Sequence, residues 1–257
     1  MQKHLGVLLG LTILLGAVQP VQAAVVYSNN FDKENGGVDA AGYTGFSGLT
    51  VTFPFVDLVH TGGGSGITCA GGSGGCVDLD GGEPGQLVSD TFSFMAGDTL
   101  TWTFSTSGSQ RASSPEDTTY YGFRFDQPTG GLFSFVSTSG LTYSDDLGAS
   151  ENPFNPGKYD VGLGVTAPYD YAFADVIFTF VPTNAGTFRF LFDGYVNDGT
   201  DFDDAGRVID NVTLSISSVP EPSTWAMAIM GFGLIGGAAR RRRVAALPLS
   251  VGQGRSS

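Results

Sequence analysis

The chain is poor in positive charge: 12 Lys and Arg stand against 25 Asp and Glu, a net of −13. Between residues 24 and 218 the imbalance sharpens. There Lys33, Arg111, Arg124, Lys158, Arg189 and Arg207 face 24 acids, a net of −18. Such a surface repels phosphate backbones and anionic lipid and attracts divalent cations, so nucleic acid is excluded as a partner. Histidine is nearly absent, with only His60 beyond His4. A zinc site therefore lacks ligands, and the usual Ser or Cys nucleophile lacks its His base. Cysteine is limited to Cys69 and Cys76, in Cys-Ala-Gly-Gly-Ser-Gly-Gly-Cys. In an oxidising compartment these two are expected to form a disulfide closing a small glycine loop. Sustained helical periodicity is missing from residues 24–218. No internal repeat is evident either, which argues against a solenoid.

Long apolar runs occur at the two ends. Met1, Lys3 and His4 precede an apolar stretch from Leu5 to Val18, and Val21 and Ala23 place small residues at the −3 and −1 positions of a cleavage site. Residues 1–23 read as a secretory signal peptide removed by signal peptidase after Ala23. A retained membrane helix is the alternative, but the run falls short of the roughly 20 residues a span needs. At the other end, Pro220-Glu221-Pro222 breaks any strand, because proline removes a backbone donor and fixes φ. An uncharged stretch then runs from Trp225 to Ala239 and stops at Arg240, Arg241, Arg242 and Arg243. Arginines are expected where a segment meets the cytoplasmic face of a membrane. The membrane segment, about 224–239, is short and holds Gly231, Gly233, Gly236 and Gly237, so it reads as a weak permanent anchor.

This combination of motif, span and arginine cluster resembles the PEP-CTERM sorting signal of Gram-negative bacteria, and more closely its PEPxxWA variant. Pro220, Glu221, Pro222, Trp225 and Ala226 stand at the motif's positions. The resemblance implies recognition by an exosortase, a membrane-embedded cysteine transpeptidase that cuts near Pro-Glu-Pro and releases or transfers the upstream domain. The signal spans residues 219–243, and a tail from Val244 to Ser257 continues where such signals usually stop. An ordinary C-terminal transmembrane anchor is the alternative reading.

Residues 24–218 are the size of one large domain. Their composition points to β-structure, with Thr, Val and Phe in short alternating runs between Gly, Asp, Asn and Pro. Leu49, Val51, Phe53 and Phe55 alternate with polar residues or proline, and so do Leu100, Trp102 and Phe104. Tyr121, Phe123 and Phe125 form another row. Val176, Phe178 and Phe180 precede a Pro182–Gly186 turn answered by Phe188, Phe190 and Phe192, which reads as a hairpin. One-sided strands need a second layer, so an all-β sandwich, jelly-roll-like and filled by aromatic residues, is expected. A C-terminal hydrophobic helix would follow it. Thr61–Gly75 and Thr138–Gly157, rich in Gly and Ser, read as long surface loops.

Asp210 is the most informative polar residue. Strict alternation along Val208–Ile216 places it on the same inward face as Val208, Val212, Leu214 and Ile216. A buried carboxylate costs several kcal/mol unless it is paired, hydrogen-bonded or bound to a metal. The strand Ile209-Asp210-Asn211-Val212-Thr213-Leu214 resembles the closing strand of galactose-binding-like jelly rolls, and Ser28-Asn29-Asn30-Phe31-Asp32 resembles their opening segment. The resemblance implies that first and last strands lie together. It also implies a structural Ca2+ held by Asp210 with Asp32 or Asn30 and backbone carbonyls. A hydrogen-bonded Asp at a strand end or bulge is the other reading. The acidic loop Asn197–Gly206 places Asp201, Asp203 and Gly206 at EF-hand positions, but Val212 stands where a bidentate Glu is required, so it is not an EF-hand. A looser calcium site or a solvated turn remains. Val77 and Leu79 alternate with Asp78 and Asp80, and similar stretches recur in secreted anchored jelly-roll proteins. Tyr120, Tyr143, Tyr159, Tyr169 and Tyr171, in or beside loops, are candidates for stacking on sugar rings.

Three functions follow from these readings. The first is a non-enzymatic surface or extracellular-matrix protein, associated through its sorting signal with biofilm or exopolysaccharide. The second is a calcium-stabilised carbohydrate-binding module whose ligand is extracellular polysaccharide. The third is a glycan-active enzyme using paired carboxylates. The partners expected are signal peptidase, an exosortase, the membrane before processing and matrix polysaccharide.

Overall fold

The computed structural model describes residues 23–53, 55–80, 85–111, 116–138, 141–151, 157–194, 207–218 and 229–234, the side chains of 116–118 and 142–151 excepted. Fourteen strands lie among the described residues. The first seven are β1 (Ala24–Asn29), β2 (Leu49–Val51), β3 (Asp57–His60), β4 (Gly75–Asp78), β5 (Gln86–Ser89), β6 (Phe92–Phe94) and β7 (Thr99–Ser107). The rest are β8 (Glu116–Phe125), β9 (Gly131–Ser137), β10 (Thr142–Glu151), β11 (Tyr159–Pro168), β12 (Ala174–Pro182), β13 (Gly186–Asp193) and β14 (Val208–Ser217).

They form two seven-stranded antiparallel sheets. One runs β3-β4-β14-β7-β12-β9; β1 shares with β4 the edge of β14 opposite β7. The other runs β10-β11-β8-β13-β5-β2, and β6 pairs with the start of β13. The fold is an all-β sandwich. First and last strands pair directly, Ala24–Asn29 against Val212–Ile216.

The alternation explains the layers. Leu100, Trp102 and Phe104 of β7 and Val176, Phe178 and Phe180 of β12 face Tyr121, Phe123 and Phe125 of β8 and Phe188, Phe190 and Phe192 of β13, all buried in one core. Trp102 lies at its centre. Its ring is 4.7 Å from Phe104, 4.8 Å from Phe192, 5.1 Å from Phe190, 5.2 Å from Phe178 and 5.7 Å from Phe123.

The expected hairpin of β12 and β13 does not form. β12 pairs with β7 and β9 in one sheet, while β13 pairs with β8, β5 and β6 in the other. The Pro182–Gly186 segment is an arch between layers, and its neighbours fix it from outside. The Thr183 N–H donates to the Gly130 carbonyl, and the Gly97 N–H donates to the Pro182 carbonyl. Two strands that each carry three large apolar residues on one face bury more by facing across a sandwich than by lying side by side. Phe180 accordingly meets Phe125 of the opposite sheet at 5.2 Å.

Two further expectations are corrected. The strand from Leu49 stops at Val51, and Phe53 and Phe55 are exposed beyond it. Thr138–Gly157 is not simply a loop, because it contains β10, the edge strand paired to β11. Thr61–Gly75 is irregular as expected, but it buries Ile67 and Cys69 in a satellite cluster with Val59, Cys76 and Val208. At the C-terminus, residues 229–234 are helical. The rest of the expected segment of about 224–239 lies outside the described residues, and among the described residues no helix is long and apolar enough to cross a membrane.

Every strand among the described residues lies between Ala24 and Ser217, so this span holds both sheets. The Trp102→Ala variant of that span is expected to lose about 3–5 kcal/mol in urea unfolding, with an unchanged m-value. A loss below about 1 kcal/mol would show that the tryptophan is not the centre of the core.

Candidate functional site

β14 is not a regular strand. Its register against β7 shifts between Asp210 and Thr213, and Asn211 there has φ 53°. Asparagine tolerates the left-handed region better than most residues, and one extra residue in a strand reverses which side chains face inward. Before the bulge Ile209 faces the main core, and after it Val212 and Leu214 do. Asp210 therefore shares a face with Val208 but not with Val212, Leu214 and Ile216, so the strict alternation expected from sequence fails. Both Val208 and Asp210 point to the outer side of the sheet, beneath the loop closed by Cys69 and Cys76. Asp210 is still only 3% exposed.

That loop is the expected disulfide, with an S–S distance of 2.11 Å. It supplies backbone donors to two carboxylates. The Ala70 N–H donates to Asp210 Oδ2 at 3.1 Å, and the Gly75 N–H donates to Asp32 Oδ1 at 2.9 Å. Asp210 Oδ1 accepts from the Asn211 N–H at 2.6 Å, and Asp32 Oδ2 accepts from Asn30 Nδ2 at 2.7 Å. The opening segment bends sharply to reach this place. Phe31 has φ 57°, and its N–H donates to Asn29 Oδ1 at 2.8 Å. Gly74 has no room for a side chain, since a Cβ there would lie 1.9 Å from Asp32 Oδ1.

The tertiary fold thus brings Asp210, Asp32 and Asn30 to one place. Burial pushes the Asp210 carboxyl up to about 7; the Asn211 and Ala70 N–H groups oppose the rise, and the Asp32 charge adds to it. Two carboxylates under one glycine loop are suited to a hard cation or to a shared proton. No group of three or more His, Cys, Asp or Glu is placed to hold a metal ion among the described residues. A cation here would need backbone carbonyls to complete its shell.

A second buried acidic group lies on β4. Both faces of Val77–Asp80 are covered: Asp78 is fully buried, and Asp80 nearly so. Arg111 Nη2 reaches Asp78 Oδ2 at 2.9 Å, and the Asp80 N–H donates to Asp78 Oδ1 at 3.2 Å. Burial raises the Asp78 carboxyl well above the ordinary range, against the pull of Arg111. Arg207 was not singled out by its sequence position, yet it is fully buried, with its guanidinium 5.8 Å from the Tyr121 ring centre. It reaches the Val165 carbonyl and Thr106 Oγ1 at 3.4 Å each. His60 Nδ1 lies 3.3 Å from Asp39 Oδ1, the arrangement of a catalytic base and its orienting carboxylate. Its Nε2, however, faces Gly75, where even a Cβ would lie 2.8 Å away, and among the described residues no nucleophile stands at that nitrogen.

Among the described side chains, the candidate tyrosines do not form an exposed platform. Tyr159 and Tyr171 pack against the core, and Tyr120 and Tyr169 are half-buried. Tyr120 lies over Gly122 and Gly162, where a Cβ on either would come within 2.9 Å of it. The Tyr143 side chain, the acidic segment Asn197–Gly206 and the expected signal peptide as far as residue 22 lie outside the described residues. So do Pro220, Glu221, Pro222, Trp225, Ala226 and Arg240–Arg243.

Residues 218–243 match the family model of the PEP-CTERM protein-sorting motif. The chain carries this signal and is an exported target of an exosortase. No curated protein matches the chain.

The Asp210 site has a pH signature. In the folded state the carboxyl keeps its proton up to about 7, whereas an unfolded aspartate releases it near 3.8. The folded protein binds more protons in that window, so this group's contribution is full below about pH 4 and is lost as pH rises through 7. Across that window, wild-type stability relative to Asp210→Asn is expected to fall by about 2 kcal/mol, allowing for solvent screening. A difference independent of pH in paired thermal melts would contradict the assignment.

Proposed function

We propose that this protein is a non-enzymatic surface or extracellular-matrix protein, released or transferred by exosortase cleavage near Pro220-Glu221-Pro222 and associated with biofilm or exopolysaccharide. One observation carries the reading. β14 ends at Ser217 and the sorting motif begins at residue 218, so cleavage leaves all fourteen strands in the upstream product. A sandwich completed immediately before the cut is a cargo that survives processing whole. The non-enzymatic part rests on the polar groups themselves. Asp32, Asp78 and Asp210 accept bonds from neighbouring donors, and His60 faces a glycine.

In cells with an exosortase, deleting Pro220–Pro222 is expected to leave an unprocessed, membrane-held precursor on immunoblots of fractionated cells. Release of a normally sized product would overturn the sorting part of the proposal.

A calcium-stabilised carbohydrate-binding module is the second reading, favoured by the convergence of Asp210 and Asp32 where the first and last strands pair. A cation that binds only the folded state must raise its melting midpoint. Under this reading the 24–218 span melts higher in excess calcium than in chelator at about pH 8, where Asp210 is ionised. Equal midpoints would remove this reading and leave the first in place.

A further inference from the structure

The outer face of the first sheet can be read from its register. Leu100, Trp102 and Phe104 of β7, Val176, Phe178 and Phe180 of β12, and Val212 and Leu214 of β14 lie in the core. The residues that alternate with them point outwards. Across five strands these fall into rows. Val136, Ile177, Thr103, Thr213 and Ser28 make one, and Ser134, Thr179, Thr101, Ser215 and Val25 make the next. Leu132 lies opposite Val181, and Thr99 opposite Ser217, in a third. Rows about 7 Å apart on strands about 4.8 Å apart give a face roughly 19 Å wide.

No charged side chain stands in these rows. Among the five strands the carboxylates are Asp175, at the start of β12 and bonded by the Ser105 hydroxyl at 2.8 Å, and Asp210, covered by the disulfide loop. The second sheet differs, because Arg124, Asp160, Arg189 and Asp193 alternate with its core residues and point outwards. Exposed aliphatic side chains gather on the uncharged face. Leu132 is 78% exposed, Val25 61%, Val136 57% and Ile177 38%. Leu132, Val136, Ile177 and Val181 lie on either side of the Ser134–Thr179 pair as one patch. Single exposed apolar residues are ordinary, but a contiguous patch of them marks a contact.

We propose that this face is a self-association surface, at which two copies of the chain pack sheet on sheet about a two-fold axis, with the patch around Thr179 at the centre. Sheets stack in this way about 10 Å apart, with strand directions within about 30° of each other. A second copy is the occupant because of charge. An isologous contact sets one patch against itself, so any charge in it meets its own like. With a net of −18 over residues 24–218, approach through an acidic face sets acids against acids. The rows on β9, β12, β7, β14 and β1 escape that repulsion. Their aliphatic side chains meet at the centre of the contact. The Thr and Ser hydroxyls around them, each both donor and acceptor, meet the same groups of the partner copy.

The test uses the 24–218 span, which holds both sheets. Sedimentation equilibrium is expected to show a concentration-dependent dimer. It should tighten as salt rises from about 0.05 to about 0.5 M, because screening relieves the repulsion between acidic chains, whereas a contact built on ion pairs would loosen. Thr179→Lys and Thr179→Glu should each weaken it by about tenfold or more, while the thermal midpoint of the monomer stays within a few degrees. An equimolar mixture of the two variants should restore the dimer, with opposite charges meeting across the axis. Leu132→Lys, at a largely exposed position, is the second variant, expected to weaken the dimer likewise should a change at Thr179 disturb the fold. Val38→Lys, at an exposed apolar residue outside these strands, should leave it unchanged. A wild type that stays monomeric up to its solubility limit, a dimer that loosens as salt rises, Thr179 and Leu132 variants that dimerise like wild type, a mixture that stays dissociated, or equal weakening by Val38→Lys would each overturn the proposal.

Discussion

The contact on which the rest of this structure depends is the face-to-face meeting of aromatic rows around Trp102. β7 and β12 contribute it from one sheet, and β8 and β13 answer from the other. Aromatic pairs at these separations contribute on the order of 1 kcal/mol each beyond the area they bury. The indole N–H has no oxygen partner among the described residues, so this centre is held by packing alone. The preference for rows that face each other also sets the topology. It sends β12 and β13 to different sheets although only a short turn separates them.

β14 then joins the distant parts of the chain. It pairs with β7 on one side and with β4 and β1 on the other. Neither sheet edge nor loop can substitute for it, so the first sheet is complete only when the chain as far as Ser217 is available. Its bulge at Asn211 turns Asp210 out of the main core and under the disulfide loop. One local irregularity thus connects the fold's closing strand, its single disulfide and a carboxylate raised to about 7 by burial. The sorting motif follows within a residue of the same strand.

Half of the scarce positive charge between residues 24 and 218 is drawn inside the protein, while Lys33, Lys158 and Arg189 stay at the surface. Arg111 pairs with Asp78, Arg124 makes two 2.9 Å bonds to Asp160, Lys158 pairs with Asp126, and Arg207 is fully buried.

Much of this was legible in the residues. The alternation at Leu100–Phe104, Tyr121–Phe125 and Phe188–Phe192 identifies inward faces because period two is a property of the extended chain itself. The Cys69–Cys76 loop was readable for similarly local reasons, and the sorting signal is a linear pattern that needs no fold. Asp210 is buried, but by the disulfide loop on the outer face and not by the inward face that alternation assigned to it. Which strands pair was not readable, because pairing compares burial across the whole core. The hairpin expected at Pro182–Gly186 became an arch for that reason, and β10 was hidden in a Gly- and Ser-containing stretch that a neighbouring strand makes regular. The bulge at Asn211 was equally hidden, since it arises from register against β7. The sequence alone determined the all-β character, the export signal and the charge; only tertiary structure decided strand order and the meeting of Asp32 with Asp210. These depend on partners far apart in the chain, and no local pattern encodes them.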